Sequence, residues 1–428
     1  MRVRYLYSAC LEIETPDLRI LTDPWFTDGA YDGSWHPFPK LKDPLETLRE
    51  PDLIYVSHIH PDHYDPRFLH QLFDRYGEKP VLIPAFERNF LELKARADGI
   101  DVASLREADF GATRVAIVPN VTGSASDVDS ALVVHAEGQT FVNLNDCAWN
   151  DAHVVELRHV LGSVCDEIDL LALGYTGAGP YPQTYFDLVR QHDELLTKAE
   201  AKKQEFFGRY RRYCDALPAR CHLPFAGKYL LGGRLAPLNP FRGVADAVEV
   251  LDFDPRAIVL ADGGDGEIDL GTLEATAVRT TPYSQQALDA RIREIATLPL
   301  DYETEITIPY ERIAFARLLK SALRSARPRS EVAGDYWFVI HIEQDERVVE
   351  SFRFNVKRDA TDFTPVSTSD ELPEPRSEYF VDYRHLFGCL TALYHWNNSE
   401  IGSFVRVRRS PDTFDRSAQQ FLNFLCCA

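Results

Sequence analysis

The chain has 428 residues, 46 of them Lys or Arg and 66 Asp or Glu, for a formal net charge of −20. With 45% hydrophobic and 11% aromatic residues it carries enough apolar material for a sizeable core, which excludes a disordered chain. The acidic balance argues against bulk electrostatic binding to nucleic acid or to an anionic membrane, while a small anionic substrate stays compatible with it.

Two or three domains are expected from length alone. The eight cysteines include no Cys-x-x-Cys pair, so neither a disulfide scaffold nor a zinc ribbon is expected. Met1 to Tyr7 lacks the apolar run and small-residue cleavage site of a secretory signal, and no stretch approaches a membrane span. The expectation is a soluble, cytoplasmic protein.

Along the chain, Tyr5 to Glu14 and Leu18 to Thr22 read as short strands, broken by Asp23-Pro24-Trp25. Leu53 to Ser57 is a near-continuous apolar strand whose end carries His58-Ile59-His60-Pro61-Asp62-His63. A helix is predicted over Phe68 to Tyr76 and a buried strand over Lys79 to Pro84. Strands follow at Arg114 to Val118, Ser130 to His135 and Thr140 to Leu144, with Glu137-Gly138 as a hairpin turn. Asp169 to Leu173 runs into the Gly174 to Pro180 loop. A long charged helix is predicted from Thr184 to Leu217, and a strand and turn from His222 to Gly227. A composition shift near Thr280-Thr281-Pro282 suggests a boundary, giving 1–280 and 281–428 as the expected domains. Beyond it come a helix (Ile313 to Arg324), strands (Tyr336 to Ile342, Val348 to Asn355), a Pro/Ser/Asp-rich stretch (Thr364 to Arg376) and a helix from Tyr383 to Tyr394. This order reads as α/β, or α+β, in which sites gather at the carboxyl ends of strands.

The His58, His60, Asp62, His63 run is the strongest chemical signal. Two imidazoles two residues apart on an extended segment face one side and can share a metal; Asp62 and His63, on the turn beyond, can hold a second. Imidazole and carboxylate donors suit zinc, iron or manganese.

The motif and its setting resemble the metallo-β-lactamase superfamily, which implies an αββα sandwich with a metal site at one edge. The resemblance marks Asp146, after Phe141-Val142-Asn143-Leu144-Asn145, as the later carboxylate that bridges metals, and Asp23 as an acid that orients a ligand imidazole. Further segments are similar to the CMP-N-acetylneuraminate hydroxylases: Asp23-Pro24-Trp25, Asp52 to His60, Pro224-Phe225-Ala226-Gly227, Trp396 with Ile401-Gly402, and Phe424-Leu425-Cys426-Cys427. This implies an iron-dependent oxygenase acting on a small polar or nucleotide-linked substrate. No Cys-x-His…Cys-x-x-His pattern of a Rieske centre occurs, so electrons are expected from a separate donor protein. Two readings stay open beside it: a hydrolase that activates water on a metal to attack a phosphoester, lactone or amide, with Asp62 and Asp146 as catalytic groups, and a binding protein with a degenerate site.

The later histidines of such a site are not evident. Val121 to Asp129 contains none, leaving Asp127 as a substitute oxygen ligand and Asp129 as a structural residue; near Pro224 only His222 is at hand. One metal, or two in a carboxylate-rich shell, is therefore expected, with iron favoured. Lys228, Trp25 and Tyr181 are the expected substrate contacts, the first by charge and the others by stacking.

Overall fold

The computed structural model describes residues 1–427 apart from 124–126, 164, 166, 331, 333, 358–360 and 368–370. Parts of the His-free Val121 to Asp129 segment and of the Pro/Ser/Asp-rich stretch lie outside the described residues.

Among the described residues an eight-stranded sheet runs in the order 275–276, 267–269, 2–7, 10–14, 19–22, 53–55, 81–84, 103–105. The strands from Arg19–Thr22 onward pair in parallel. A six-stranded sheet runs 219–225, 168–174, 139–143, 130–136, 113–119, 107–110, and its first three strands are parallel. Strand parity sorts the apolar residues into layers. Val3, Tyr5, Leu11, Ile13, Ile20 and Tyr55 meet Val115, Ile117, Leu132, Val134, Phe141 and Leu170 in the core between the sheets. The opposite face of the second sheet is covered by the helices Asp151–Gly162 and His192–Ala216 through Leu157, Phe207, Tyr210 and Tyr213. Leu6, Leu21, Ile54 and Val56 on the outer face of the first sheet pack on Phe68, Leu69 and Leu72 of the helix Pro66–Tyr76. The layers are helix, sheet, sheet, helix: the metallo-β-lactamase fold.

Downstream, a five-stranded sheet in the order 363–365, 347–355, 337–344, 376–382, 406–410 is backed by the helix Phe315–Ala326, whose Phe315, Leu319, Ala322, Leu323 and Ala326 form one apolar stripe. This sheet shares a hydrophobic cluster with the first: Leu6 and Ile54 belong to the same buried group as Phe338, Ile340, Phe421 and Leu425. Several boundaries differ from those expected. The long helix starts at His192 rather than Thr184, because Asp187 binds the backbone N–H groups of Val189 and Arg190 in a separate turn. The helix beginning at Tyr383 ends at Leu390, where the chain turns back and lays the Tyr394 ring against Gly388, with no room for a Cβ between them. No helix among the described residues is long and apolar enough to cross a membrane.

Candidate metal centre

The site forms where parallel strands of both sheets end. The turns there are tight: Ser8, Asp23, Asn145 and Ala226, none of them glycine, all adopt positive φ, between 38° and 57°. Left-handed backbone at such residues costs of order 1 kcal/mol or more each and persists only where surrounding bonds hold it. Those bonds are present. Asn145 N–H donates to Asn143 Oδ1 at 2.8 Å, and its Nδ2 donates to Ser130 O at 3.1 Å. Ser130 Oγ in turn donates to Ser57 O at 2.9 Å and lies 2.8 Å from Tyr55 Oη. The residue before His58 and the residue before Asp146 are thus tied together across the two sheets.

Three imidazoles lie in a row, those of His58 and His63 buried and that of His60 half-buried. His58 Nε2 and His60 Nδ1 are 2.8 Å apart, and the rings of His58 and His63 have centroids 4.0 Å apart. Each has its far side fixed. Ser57 Oγ lies 2.9 Å from His58 Nδ1; His63 Nδ1 donates to Asp23 Oδ2 at 3.1 Å; His60 Nε2 donates to Asn397 Oδ1 at 3.0 Å. These partners leave His58 Nε2, His63 Nε2 and His60 Nδ1 turned toward the carboxylates. Asp62 Oδ2 and Asp146 Oδ2 each stand 3.6 Å from His63 Nε2, and Asp62 Oδ1 accepts the Tyr31 hydroxyl at 2.6 Å. Single donor atoms of His58, His63 and Asp146 lie within 4.8 Å of one another.

The electrostatics follow from burial and these pairings. Burial drives the pKa of His58 and His60 below the usual histidine value. Burial opposes charge on His63 as well, but Asp62, Asp146 and Asp23 overcome it and hold His63 well above that value. Asp146, buried but facing His63, is held below the ordinary carboxylate value. Burial pushes Asp23 up, although His63 and Ser57 partly offset it.

Of the expected oxygen donors, Asp127 does not join this group. Its carboxylate accepts the Thr122 N–H at 2.7 Å, the Thr122 hydroxyl at 2.5 Å and the Gly123 N–H at 2.9 Å, closing its own loop. Asp129, expected to be structural, occupies that place instead. Its Oδ1 lies 4.0 Å from His58 Nε2, and burial together with nearby Asp146 pushes it up to about 7. His222 is also absent from the cluster. Cys221, Leu223 and Phe225 point into the core between the sheets, so strand alternation turns His222 to the opposite face, where its Nδ1 meets Asp254 Oδ2 at 2.7 Å.

A cavity of about 180 Å³ opens over His60, Asp62, Asp129 and Asp146. Its walls are Trp35 and Tyr229, stacked with centroids 3.3 Å apart, and Arg209, whose guanidinium lies over the Phe206 ring. The floor passes Gly227, where a Cβ would stand 2.6 Å from Thr176 and Tyr175 atoms; only glycine fits that approach. The expected substrate contacts lie elsewhere. Trp25 is 1% exposed and fully committed to the core, its Nε1 donating to Thr27 O, because the aromatic signal that suggested stacking also marks the best core filler. Lys228 points its ammonium at the Tyr283 ring, 5.5 Å from its centroid, and Tyr181 packs against Tyr185 and Arg409. Sequence reasoning gave Asp129 a structural role and did not single out Arg209 or Asn397. Arg209 sits in the long helix predicted only as charged, and nothing in that pattern distinguishes it from its neighbours.

A family model described as the β-lactamase superfamily domain matches residues 2–160, which hold every residue of the cluster except Asn397. Residues 2–160 belong to the β-lactamase superfamily. The chain is 25% identical over 242 residues to cytidine monophosphate-N-acetylneuraminic acid hydroxylase of Mus musculus, covering 54% of this chain and 39% of that protein. It is 24% identical over 240 residues to a Homo sapiens protein named inactive cytidine monophosphate-N-acetylneuraminic acid hydroxylase, covering 54% and 45%. The match spans less than half the length of either curated relative. Among solved structures, an isothiocyanate hydrolase from Delia radicum gut bacteria superposes with a TM-score of 0.42 at 16% identity, covering 63% of this chain and 98% of that one.

The residues of the superfamily domain fit a divalent metal. A set of three imidazoles and three carboxylates, buried or half-buried and with the far nitrogens already bonded, presents the donor atoms such an ion needs. The 2.8 Å gap between two imidazole nitrogens needs either a shared proton or a shared cation.

Proposed function

We propose that this chain is a metal-dependent hydroxylase, holding one or two divalent ions, iron by preference, through His58, His60, Asp62, His63 and Asp146, with Asp129 in the place expected of Asp127. The observation that carries this reading is the balance of the donor set. Three carboxylates stand beside three imidazoles, and no later histidine joins them among the described residues, a composition that suits iron or manganese better than zinc. The hydroxylase relatives support it. The human relative named inactive is matched as closely as the mouse enzyme, so likeness alone does not separate a working site from a decayed one; the intact donor set favours the working one.

A bound iron would supply one-electron chemistry toward dioxygen, and a separate protein would supply the electrons. The chain's own residues do the rest. Asn397 and Asp23 fix which nitrogen of His60 and His63 carries the proton. Tyr31 donates to one oxygen of Asp62 and leaves the other facing His63. Trp35 and Tyr229 form a flat apolar wall that keeps water from one side of the cavity, and Arg209 gives the other a positive charge suited to a polar substrate. The region after residue 280 acts as an accessory unit that finishes the site, supported by the Asn397 bond and by Ser34 Oγ donating to Gly402 O at 2.6 Å.

Elemental analysis of the purified chain, with dioxygen consumption under added reductant, tests this reading. Iron with reductant-dependent uptake supports it. A zinc protein that is inert to reductant and turns over ester, amide or phosphoester substrates without dioxygen would replace it with the hydrolase. A chain that takes up no metal would leave only a binding role.

A further inference from the structure

The displaced His222 belongs to a second convergence of donor groups. Cys214 comes from the last turns of the helix His192–Ala216, His222 from the strand Ala219–Phe225, and Asp254 from the turn after Ala247–Asp252. All three are buried on the helix-covered face of the second sheet, and one donor atom from each lies within 4.8 Å of the others. The carboxylate is held on both sides. Tyr210, one helical turn before Cys214, donates its hydroxyl to Asp254 Oδ2 at 2.9 Å, and the Arg256 N–H donates to Oδ1 at 3.1 Å. His222 is 0% exposed; its Nδ1 meets Asp254 Oδ2 at 2.7 Å, and its Nε2 has no hydrogen-bond partner among the described residues. The nitrogen that faces the cluster is Nδ1, and a cation bound there would take the place of the proton it shares with Asp254.

We propose that Cys214, His222 and Asp254 form a second metal site, for one zinc-class divalent cation, separate from the centre over His58. Sulfur, imidazole nitrogen and carboxylate oxygen are all donors that zinc accepts, and three protein ligands leave it a fourth position. The charges also balance: one thiolate and one carboxylate against a double positive charge, with a neutral imidazole, make a complex with no net charge inside a buried pocket. Without a cation, burial pushes the Cys214 thiol up to about 12, so binding must release its proton to solvent. The Tyr210 and Arg256 bonds to Asp254 are the outer contacts that such a ligand carboxylate needs. The site would tie the long helix to the sheet edge, a joining role distinct from turnover.

Cobalt reports the site, because the centre over His58 contains no thiolate. The full chain, stripped with chelator and titrated with Co²⁺, should develop a near-ultraviolet thiolate-to-cobalt band that saturates at one equivalent. The band should persist in the His58→Ala/His60→Ala variant and vanish in Cys214→Ser and in His222→Gln. Absence of the band in the wild type at excess cobalt, or its survival in Cys214→Ser, overturns the proposal and leaves a plain hydrogen-bond network. A measurement on the wild type needs no variant to fold. One equivalent of Zn²⁺ added to the His58-site-loaded protein should slow alkylation of Cys214, read by mass spectrometry, by about tenfold or more. An unchanged alkylation rate overturns the site equally.

Discussion

His60 donates its Nε2–H to Asn397 Oδ1 across 3.0 Å and 337 positions of sequence. The bond fixes His60 as the tautomer whose Nδ1 lone pair faces His58. Groups that hold a ligand imidazole in this way are worth about 10–100-fold in metal affinity. Asn397→Leu is therefore expected to weaken metal binding by about that factor while leaving the fold intact. Asn397→Asp, which keeps the acceptor, should retain most of it. Metal titration by calorimetry with circular dichroism on both variants checks the pair; equal affinity in Asn397→Leu and wild type would remove the residue from the site.

Asp23 does the same for His63, and it also accepts the Ser57 N–H at 2.7 Å. Asp23→Asn preserves the shape and most of the hydrogen bonding but removes the charge that offsets a protonated or metal-bound His63. A loss of about 10–100-fold in metal affinity is expected. Elemental analysis after dialysis against graded chelator measures it.

The two aspartates of the loop before Ser130 make a paired test. Asp129→Asn should lower metal occupancy and activity, whereas Asp127→Asn should change only the loop it closes, within about 1 kcal/mol of stability. Similar effects on metal occupancy from both variants would count against the assignment of Asp129.

Glu400, one turn after Asn397 in the helix Trp396–Ile401, gives a pH signature of its own. It is buried, and burial raises it to about 7 although the Tyr379 hydroxyl donates to it at 2.8 Å. Its unfolded value lies near 4.5. Between those values the folded chain keeps a proton that the unfolded chain has released, so this residue's contribution is most favourable below about pH 4.5 and falls away as pH rises to about 7. Glu400→Gln should be more stable than the wild type above pH 7, by about 1–3 kcal/mol, with the two converging near pH 4.5. Denaturant melts at pH 5 and pH 8 measure the difference.

Trp25 separates packing from binding. Its ring is buried against Tyr7 and Trp35. Trp25→Ala should cost about 3–5 kcal/mol of stability. Substrate affinity of the fraction that remains folded should be unchanged, since the ring lies behind the cavity wall.

How much of this could be read in advance depends on how local each signal is. His58 to His63 are contiguous and follow a strand of unbroken apolar residues, so both their chemistry and their place at a strand end were visible in the sequence. Asp146 follows its own strand in the same manner. Asp127 and Asp129 differ only in which way a short turn carries its side chains, and that is decided by Thr122 and Gly123 capturing Asp127. His222 was misplaced by parity: the strand was recognised, but not that Cys221, Leu223 and Phe225 claim its inner face. Asn397 had no local pattern at all, because its role exists only once the C-terminal sheet has packed on the first.

That packing bears on how the chain is made. Leu6 and Leu425 lie in one hydrophobic cluster. During synthesis the helix Pro66–Tyr76 can cover part of the first sheet's outer face early, but the part that meets Leu425 stays wet until that residue has been made, some four hundred residues later. For all that time an apolar surface is open to other chains, and the donor groups of His58 to His63 that we propose as metal ligands stand ready before Asn397 exists. The nascent protein is thus most prone to aggregation and to capturing the wrong ion over the same interval, and both hazards end with the docking of one segment.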